Sequence, residues 1–206
     1  MKIIVFEGLD KSGKNTQARL LVDYLRAKRF KVAYAEFHNY GSPTGKLIRE
    51  YLLGDYDVDD YTIELLMSAD KHALQGTFKK YEESGYDYLI LDRYVGSQIC
   101  FARAKGHDEN WIQSLHKYLI KPDLEIMFDI SPKTSLSRKG QHGENDRYES
   151  NLVLLTDVRK EYLKYFAEEE GRRVFMSCDS LSISKLHSAV IELVEDSFIQ
   201  VKEGVR

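Results

Sequence analysis

The chain has 206 residues, 43% of them hydrophobic and 31% charged, with a net charge of −3. That balance predicts one domain with a substantial core and excludes the global basic footprint of a nucleic-acid binder. No apolar stretch approaches the ~18 residues of a membrane span, and the apolar run of MKIIVFEG is too short for a signal peptide. A cytoplasmic protein with no membrane or nucleic-acid partner is expected.

The first element, "KIIVFE", reads as a buried strand. It runs directly into "GLDKSGKNT" at residues 8–16. An amphipathic helix is predicted from about Lys14, with Ala18, Leu21, Val22 and Leu25 on one face. Arg26, Lys28, Arg29 and Lys31 follow as a solvated helix end. Four more apolar runs, "KVAYAEF", "YLILD", "LEIMFDI" and "RRVFMS", lack strict alternation, as strands buried on both faces of a parallel sheet do. Cys100 and Cys178 form no C-x-x-C pair and are expected to be buried free thiols.

Ser131-Pro132 predicts a helix N-cap followed by a first-turn proline. The polar stretch "SRKGQHGEND", residues 137–146, reads either as an ordinary loop or as a mobile lid, with Arg138 and Lys139 as the basic residues a lid needs. Beyond it, Leu152, Leu155, Tyr162 and Phe166 share a helix face. So do Ile183, Leu186, Val190, Leu193 and Val194. Strands alternating with helices predict an α/β class: a five-stranded, doubly wound parallel sheet forming one domain over 1–206, with a lid at about 137–146.

"GLDKSGKN" fits the phosphate-loop pattern G-x-x-x-x-G-K-[ST] at all but its last position. A strand before and a helix after give it the context that pattern requires. Backbone N–H groups of such a turn and the helix N-terminus bind phosphate oxygens, and Lys14 can reach the terminal phosphates of ATP. The expected donor site is therefore Gly8, Leu9, Asp10, Lys11, Ser12, Gly13, Lys14, Asn15 and Thr16, with Arg138 from the lid. Asn15 stands where a hydroxyl ordinarily holds Mg²⁺. It reads either as a weaker or water-mediated Mg²⁺ contact or as a plain helix cap. Thr16 points about 100° away around the helix.

"FEGLDKSGKNTQ", "TGKLIREYL", "DRYVGSQICFARAKG", "LIKPDLEIMFDI" and "DRYES" follow one another in an order and spacing that resemble the thymidylate kinase family of nucleoside monophosphate kinases. The likeness runs through almost the whole chain, and "DKSGK" is closest to eukaryotic and poxvirus-like members. It implies a phosphate-loop kinase fold with a lid, usually a homodimer. The implied reaction is transfer of the γ-phosphoryl of MgATP to a deoxynucleoside monophosphate. The resemblance gives Arg93 the acceptor phosphate, a task a guanidinium fork suits. It gives Asp92 the Mg²⁺ and its waters, Asp10 the acceptor sugar and nearby basic groups, and Lys11 or Arg138 the charge on the transferring group. Phe37, Phe101 and Tyr148 match positions around the acceptor sugar and base. Tyr148 matches the residue that crowds the ribose 2′ position.

Four positions depart from the family. Tyr40 and Lys71 stand where arginines are expected, Met67 where an aromatic ring stacks on thymine, and Gln98, after Ser97, where a small residue is usual. Met adapts to different shapes, and Gln98 can both donate and accept, which equips it to read another base edge. Three functions therefore stay open at this level: a dTMP kinase, a deoxynucleoside monophosphate kinase of broad or altered base specificity, and a non-catalytic nucleotide-binding homologue. Asn15 and the lost arginines favour the last; Lys14, Asp92, Arg93 and Asp10 oppose it.

Overall fold

The structure is a computed structural model describing residues 1–138, 146–168 and 171–199. Strand β1 (Lys2–Glu7) is buried from Ile3 to Glu7 and sits at the centre of the sheet. It is flanked by β3 (Tyr88–Asp92) and β4 (Leu124–Asp129), both buried along their whole length. The outer strands are β2 (Val32–Glu36), beside β3, and β5 (Arg173–Ser177), beside β4. Every pairing is parallel, in the order β2-β3-β1-β4-β5. Apolar runs without alternation are what strands covered on both faces require.

Helices cover both faces. One core joins β1, β3 and β4 to α1 (Lys14–Ala27), α4 (Val95–Ala104), α7 (Leu152–Ala167) and α8 (Ile183–Phe198). The other packs β1, β2 and β3 against α3 (Asp60–Glu83). A third cluster lies between α2 (Pro43–Leu53) and α3, away from the sheet. Short helices α5 (Glu109–His116) and α6 (Pro132–Ser137) complete the set. No described helix is long and apolar enough to cross a membrane.

The expected local signals hold with two corrections. Ser131 accepts from Thr134 N at 3.0 Å and Pro132 opens α6. Both cysteines are free and buried. Leu152 and Ile183, grouped above with the apolar faces of their helices, are exposed, at 42% and 63%. Each is the first residue of its helix, before the helix meets the core.

The chain order places β1 between a strand that follows it and a strand that comes later still. Such a reversal opens a crevice at the carboxyl ends of the strands, where open α/β sheets bind ligands. Gly8, Asp92 with Arg93, and Asp129 with Ile130 all lie at that edge.

Candidate active site

The chain leaves β1 through Gly8 at φ +134°, where a Cβ would come within 2.4 Å of Phe128 O. Only glycine fits so close to the neighbouring strand. Lys11 adopts φ 62°, and Gly13, at φ 97°, is the N-cap of α1 and contributes no side-chain cap. The loop therefore curls over an open helix N-terminus, the geometry that binds anions. Lys14 is buried, folds back to donate to Leu9 O at 3.2 Å, and lies 3.5 Å from Asp10.

Arg93 follows β3 with φ 65°, an uncommon conformation for a side-chain-bearing residue and one that clusters at functional sites. It directs its guanidinium back over the strand ends. There Nη2 donates to Asp10 at 2.5 Å and Nη1 to Ser97 Oγ at 3.1 Å. Two cations, the buried Lys14 and the half-buried Arg93, from the turns after β1 and β3, thus converge on one carboxylate. Burial opposes ionisation of Asp10, but Arg93 and Lys14 together hold its carboxyl well below the usual range. Burial and the Arg93 charge push the Lys14 ammonium down.

Glu7 supports this arrangement from beneath. It is fully buried, and its Oε1 accepts from Tyr94 N and Ser97 N, capping α4 from another strand. Its Oε2 accepts from Ser97 Oγ and, at 3.1 Å, from Tyr162 Oη.

Beside Asp10 and Arg93 opens a pocket lined by Phe37, His38, Tyr40, Leu52, Met67, Lys71, Tyr94, Ser97, Gln98, Phe101, Asp146 and Tyr148. Tyr148 stacks on Phe101 with centroids 5.4 Å apart, meets Tyr51 edge-on at 6.2 Å, and is held through its hydroxyl by Lys105 at 3.1 Å. Lys71 is buried with its ammonium 5.7 Å from the Phe37 ring. Burial lowers its pKa to about 8, against the pull of Glu64 and Asp70. His38 Nδ1 donates to the Asp70 carboxylate at 3.2 Å; burial and the Lys71 charge lower its pKa to about 4, so it is neutral near pH 7.

The thymidylate kinase family model matches residues 6–190, a span containing both the loop and the pocket. The chain belongs to the thymidylate kinase family. This makes it an ATP-dependent nucleoside monophosphate kinase, a phosphotransferase. The chain is 35% identical over 198 residues to a thymidylate kinase of Schizosaccharomyces pombe, covering 95% of this chain and 92% of that one. It is 37% identical over 147 residues to one of Caenorhabditis elegans, covering 67% of each. A solved thymidylate kinase of Candida albicans, an enzyme described as having broad substrate specificity, superposes with a TM-score of 0.83 at 28% identity, covering 95% of this chain and 91% of that one.

Within this kinase, most residues expected from sequence come together. Gly8 to Thr16 form the loop and the first turn of α1. Arg138 reaches that loop from the end of α6, donating to Lys11 O at 2.9 Å, and Lys11 lies 3.4 Å from Glu149. Lys139 and residues 140–145 of the expected lid lie outside the described residues.

Two expectations change. Asn15 accepts from Arg19 Nε at 3.2 Å and donates to Tyr34 Oη at 3.1 Å and Glu36 Oε2 at 3.4 Å. Its oxygen thus meets Arg19 along the helix surface. It does not cap α1: Gly13 is the N-cap. Gln98 is not free to read a base, because neighbouring side chains and the Glu64 carbonyl take its whole hydrogen-bonding capacity. Asp92 differs from Asn15: its Oδ1 is buried with no hydrogen-bond partner among the described residues. An orphaned carboxylate oxygen at a strand end fits a cation or its water shell.

Sequence reasoning missed His38, Tyr94, Asp146 and Glu149 at the site, and Glu7, Glu64, His116 and Tyr162 behind it. Asp146 and Glu149 lie within the quoted "DRYES" and were legible there. The buried supports carried no local signal.

Proposed function

We propose that this kinase transfers the γ-phosphoryl of MgATP to the 5′-phosphate of dTMP, giving dTDP and ADP. An acceptor phosphate oxygen forms the new bond to the γ-phosphorus as the bond to the β,γ-bridging oxygen breaks, and the electron pair leaves on ADP. The observation that carries this reading is the convergence of Lys14 and Arg93 on Asp10 between loop and pocket. Two anionic nucleotides meet only where fixed positive charge screens both, and Asp10 holds the two cations in place beforehand.

In this reading the loop from Gly8 to Thr16 cradles the donor phosphates, with Lys14 at the terminal ones. Arg93 holds the acceptor phosphate. Lys11 and Arg138, joined through the Lys11 carbonyl, stabilise charge on the transferring group. Asp92 would hold Mg²⁺ through water, and the bound ion would supply charge neutralisation on the donor phosphates. Phe37 and Phe101 pack the sugar and base, Tyr148 crowds the 2′ position, and Tyr40, Met67 and Lys71 border the base. Homodimer assembly and a cytoplasmic location belong to the same reading.

The test is ADP release with dTMP. Lys14→Ala should abolish turnover, and activity above about a tenth of wild type would overturn its assignment; a tenfold change is ~1.4 kcal/mol. Arg93→Ala should raise the acceptor KM and lower kcat, since a charged hydrogen bond to phosphate is worth ~1.5–3 kcal/mol. A change confined to ATP affinity would place Arg93 on the wrong nucleotide.

A further inference from the structure

Gln98 stands on α4 at the inner end of the pocket and is buried. Its Nε2 donates to Glu64 O at 2.7 Å and to Glu64 Oε2 at 3.0 Å. Both partners can only accept, so the amide orientation is fixed and Oε1 must face the other way. There Oε1 accepts from Lys71 Nζ at 2.9 Å and meets His116 Nε2 at 3.0 Å, which assigns the imidazole proton to Nε2. All four hydrogen-bonding positions of Gln98 are used. Glu64 is itself held by Lys105 at 2.7 Å, the lysine that also anchors the Tyr148 hydroxyl. The network therefore runs from the sugar wall to the base end.

Lys71 has three N–H groups. One goes to Gln98 and one to Met67 O at 3.2 Å, and Lys71 is among the residues that line the pocket, with its ammonium 5.7 Å from the ring of Phe37, another lining residue. One donor remains for a ligand, with no acceptor beside it on Gln98. Thymine, uracil and guanine present a carbonyl oxygen where cytosine and adenine present an amino group. A site built to donate to an oxygen rejects an amino group strongly, because two donors then face each other.

We propose that Gln98 is a positioning residue for base selection: it fixes Lys71 so that the base end offers a donor alone and selects a keto base over the amino base of the same ring size. This rests on the kinase reading above.

The test compares kcat/KM for dUMP against dCMP and for dGMP against dAMP. Ring size is matched within each pair, so overall fit cancels. In the wild type the keto member of each pair should win by about tenfold or more. Lys71→Arg, which keeps a donor-only group, should keep that preference. Gln98→Met, which fills the space without hydrogen bonds, should bring the ratios toward one. It should do so through the acceptor KM, with the ATP KM unchanged. Gln98→Asn, too short to span Glu64 and Lys71, should do the same, so either variant that shows a native circular dichroism spectrum decides the matter. Equal rates within each pair in the wild type would overturn the inference, as would intact ratios in a folded Gln98 variant. Absence of turnover with every acceptor would instead remove the kinase reading beneath it.

Discussion

At the scale of single residues, chemistry at this site depends on which atoms are already engaged. Asn15 occupies the hydroxyl position of the phosphate loop, yet its oxygen is taken by Arg19. Asn15→Thr should therefore keep or improve turnover at limiting Mg²⁺, checked by titrating the metal at fixed ATP. A severe loss in a folded variant would show that the amide does something a hydroxyl cannot. Lys71 gives a pH signature. It faces Glu64 and Asp70 of α3, Glu7 of β1, Arg93 after β3, His38 after β2 and His116 of α5. Its folded pKa, lowered to about 8 from 10.5, leaves it charged below pH 8. kcat/KM reports groups of the free enzyme. The keto-over-amino preference should thus hold below pH 8 and weaken above it, as the amine gains a lone pair that accepts. A ratio constant from about pH 7 to 9.5 would contradict this assignment. Between pH 8 and 10.5 the unfolded chain binds more protons at Lys71 than the folded one, so this group's contribution to stability rises with pH there.

At the scale of elements, distant residues set the loops that carry the site. Asp70, buried on α3, accepts from Asn39 N at 3.0 Å, Ser42 Oγ at 2.8 Å and Thr44 Oγ1 at 2.7 Å, and faces His38. Burial alone would raise its pKa, but these bonds lower it to about 2. They tie the segment between β2 and α2, which bears His38 and Tyr40, to the helix that bears Met67 and Lys71. Asp70→Ala should raise the acceptor KM and cost at least ~2 kcal/mol. That is a fall in Tm of about 4–8 °C at this chain length, read by thermal denaturation. An unchanged acceptor KM would separate the loop from binding. Gly45 adds a steric constraint: a Cβ there would lie 1.8 Å from Asn39 O, so Gly45→Ala should displace the same segment. None of this was legible in "HNYGSP", because the anchor lies roughly 30 residues downstream and acts only once α3 folds against α2.

At the scale of the whole molecule, the pocket is assembled from the turns after β1, β2 and β3, from α2, α3 and α4, and from the segment opening at Asp146. A ligand that bridges so many elements stabilises the folded state by mass action. At 100 times its Kd, dTMP should add ~2.7 kcal/mol, a rise in Tm of about 5–11 °C in a thermal melt without ATP. No shift would mean that the pocket does not take the acceptor. The sequence by itself determined the parallel sheet, because strands covered on both faces must read as unbroken apolar runs. It also determined the phosphate loop, because only glycines at Gly8 and Gly13 permit its turns before a helix start. The family followed from motifs that are local in the chain. Tertiary structure alone decided the rest. That Gln98 has no capacity left, that Asn15 reaches Tyr34 and Glu36 of β2 while Asp92 keeps an orphaned oxygen, and that Glu7 caps α4 all depend on how distant elements pack, with pairings across 19 to 90 residues. Hydrogen-bonding capacity belongs to the residue type and is written in the sequence, but how it is used is fixed only when the elements pack.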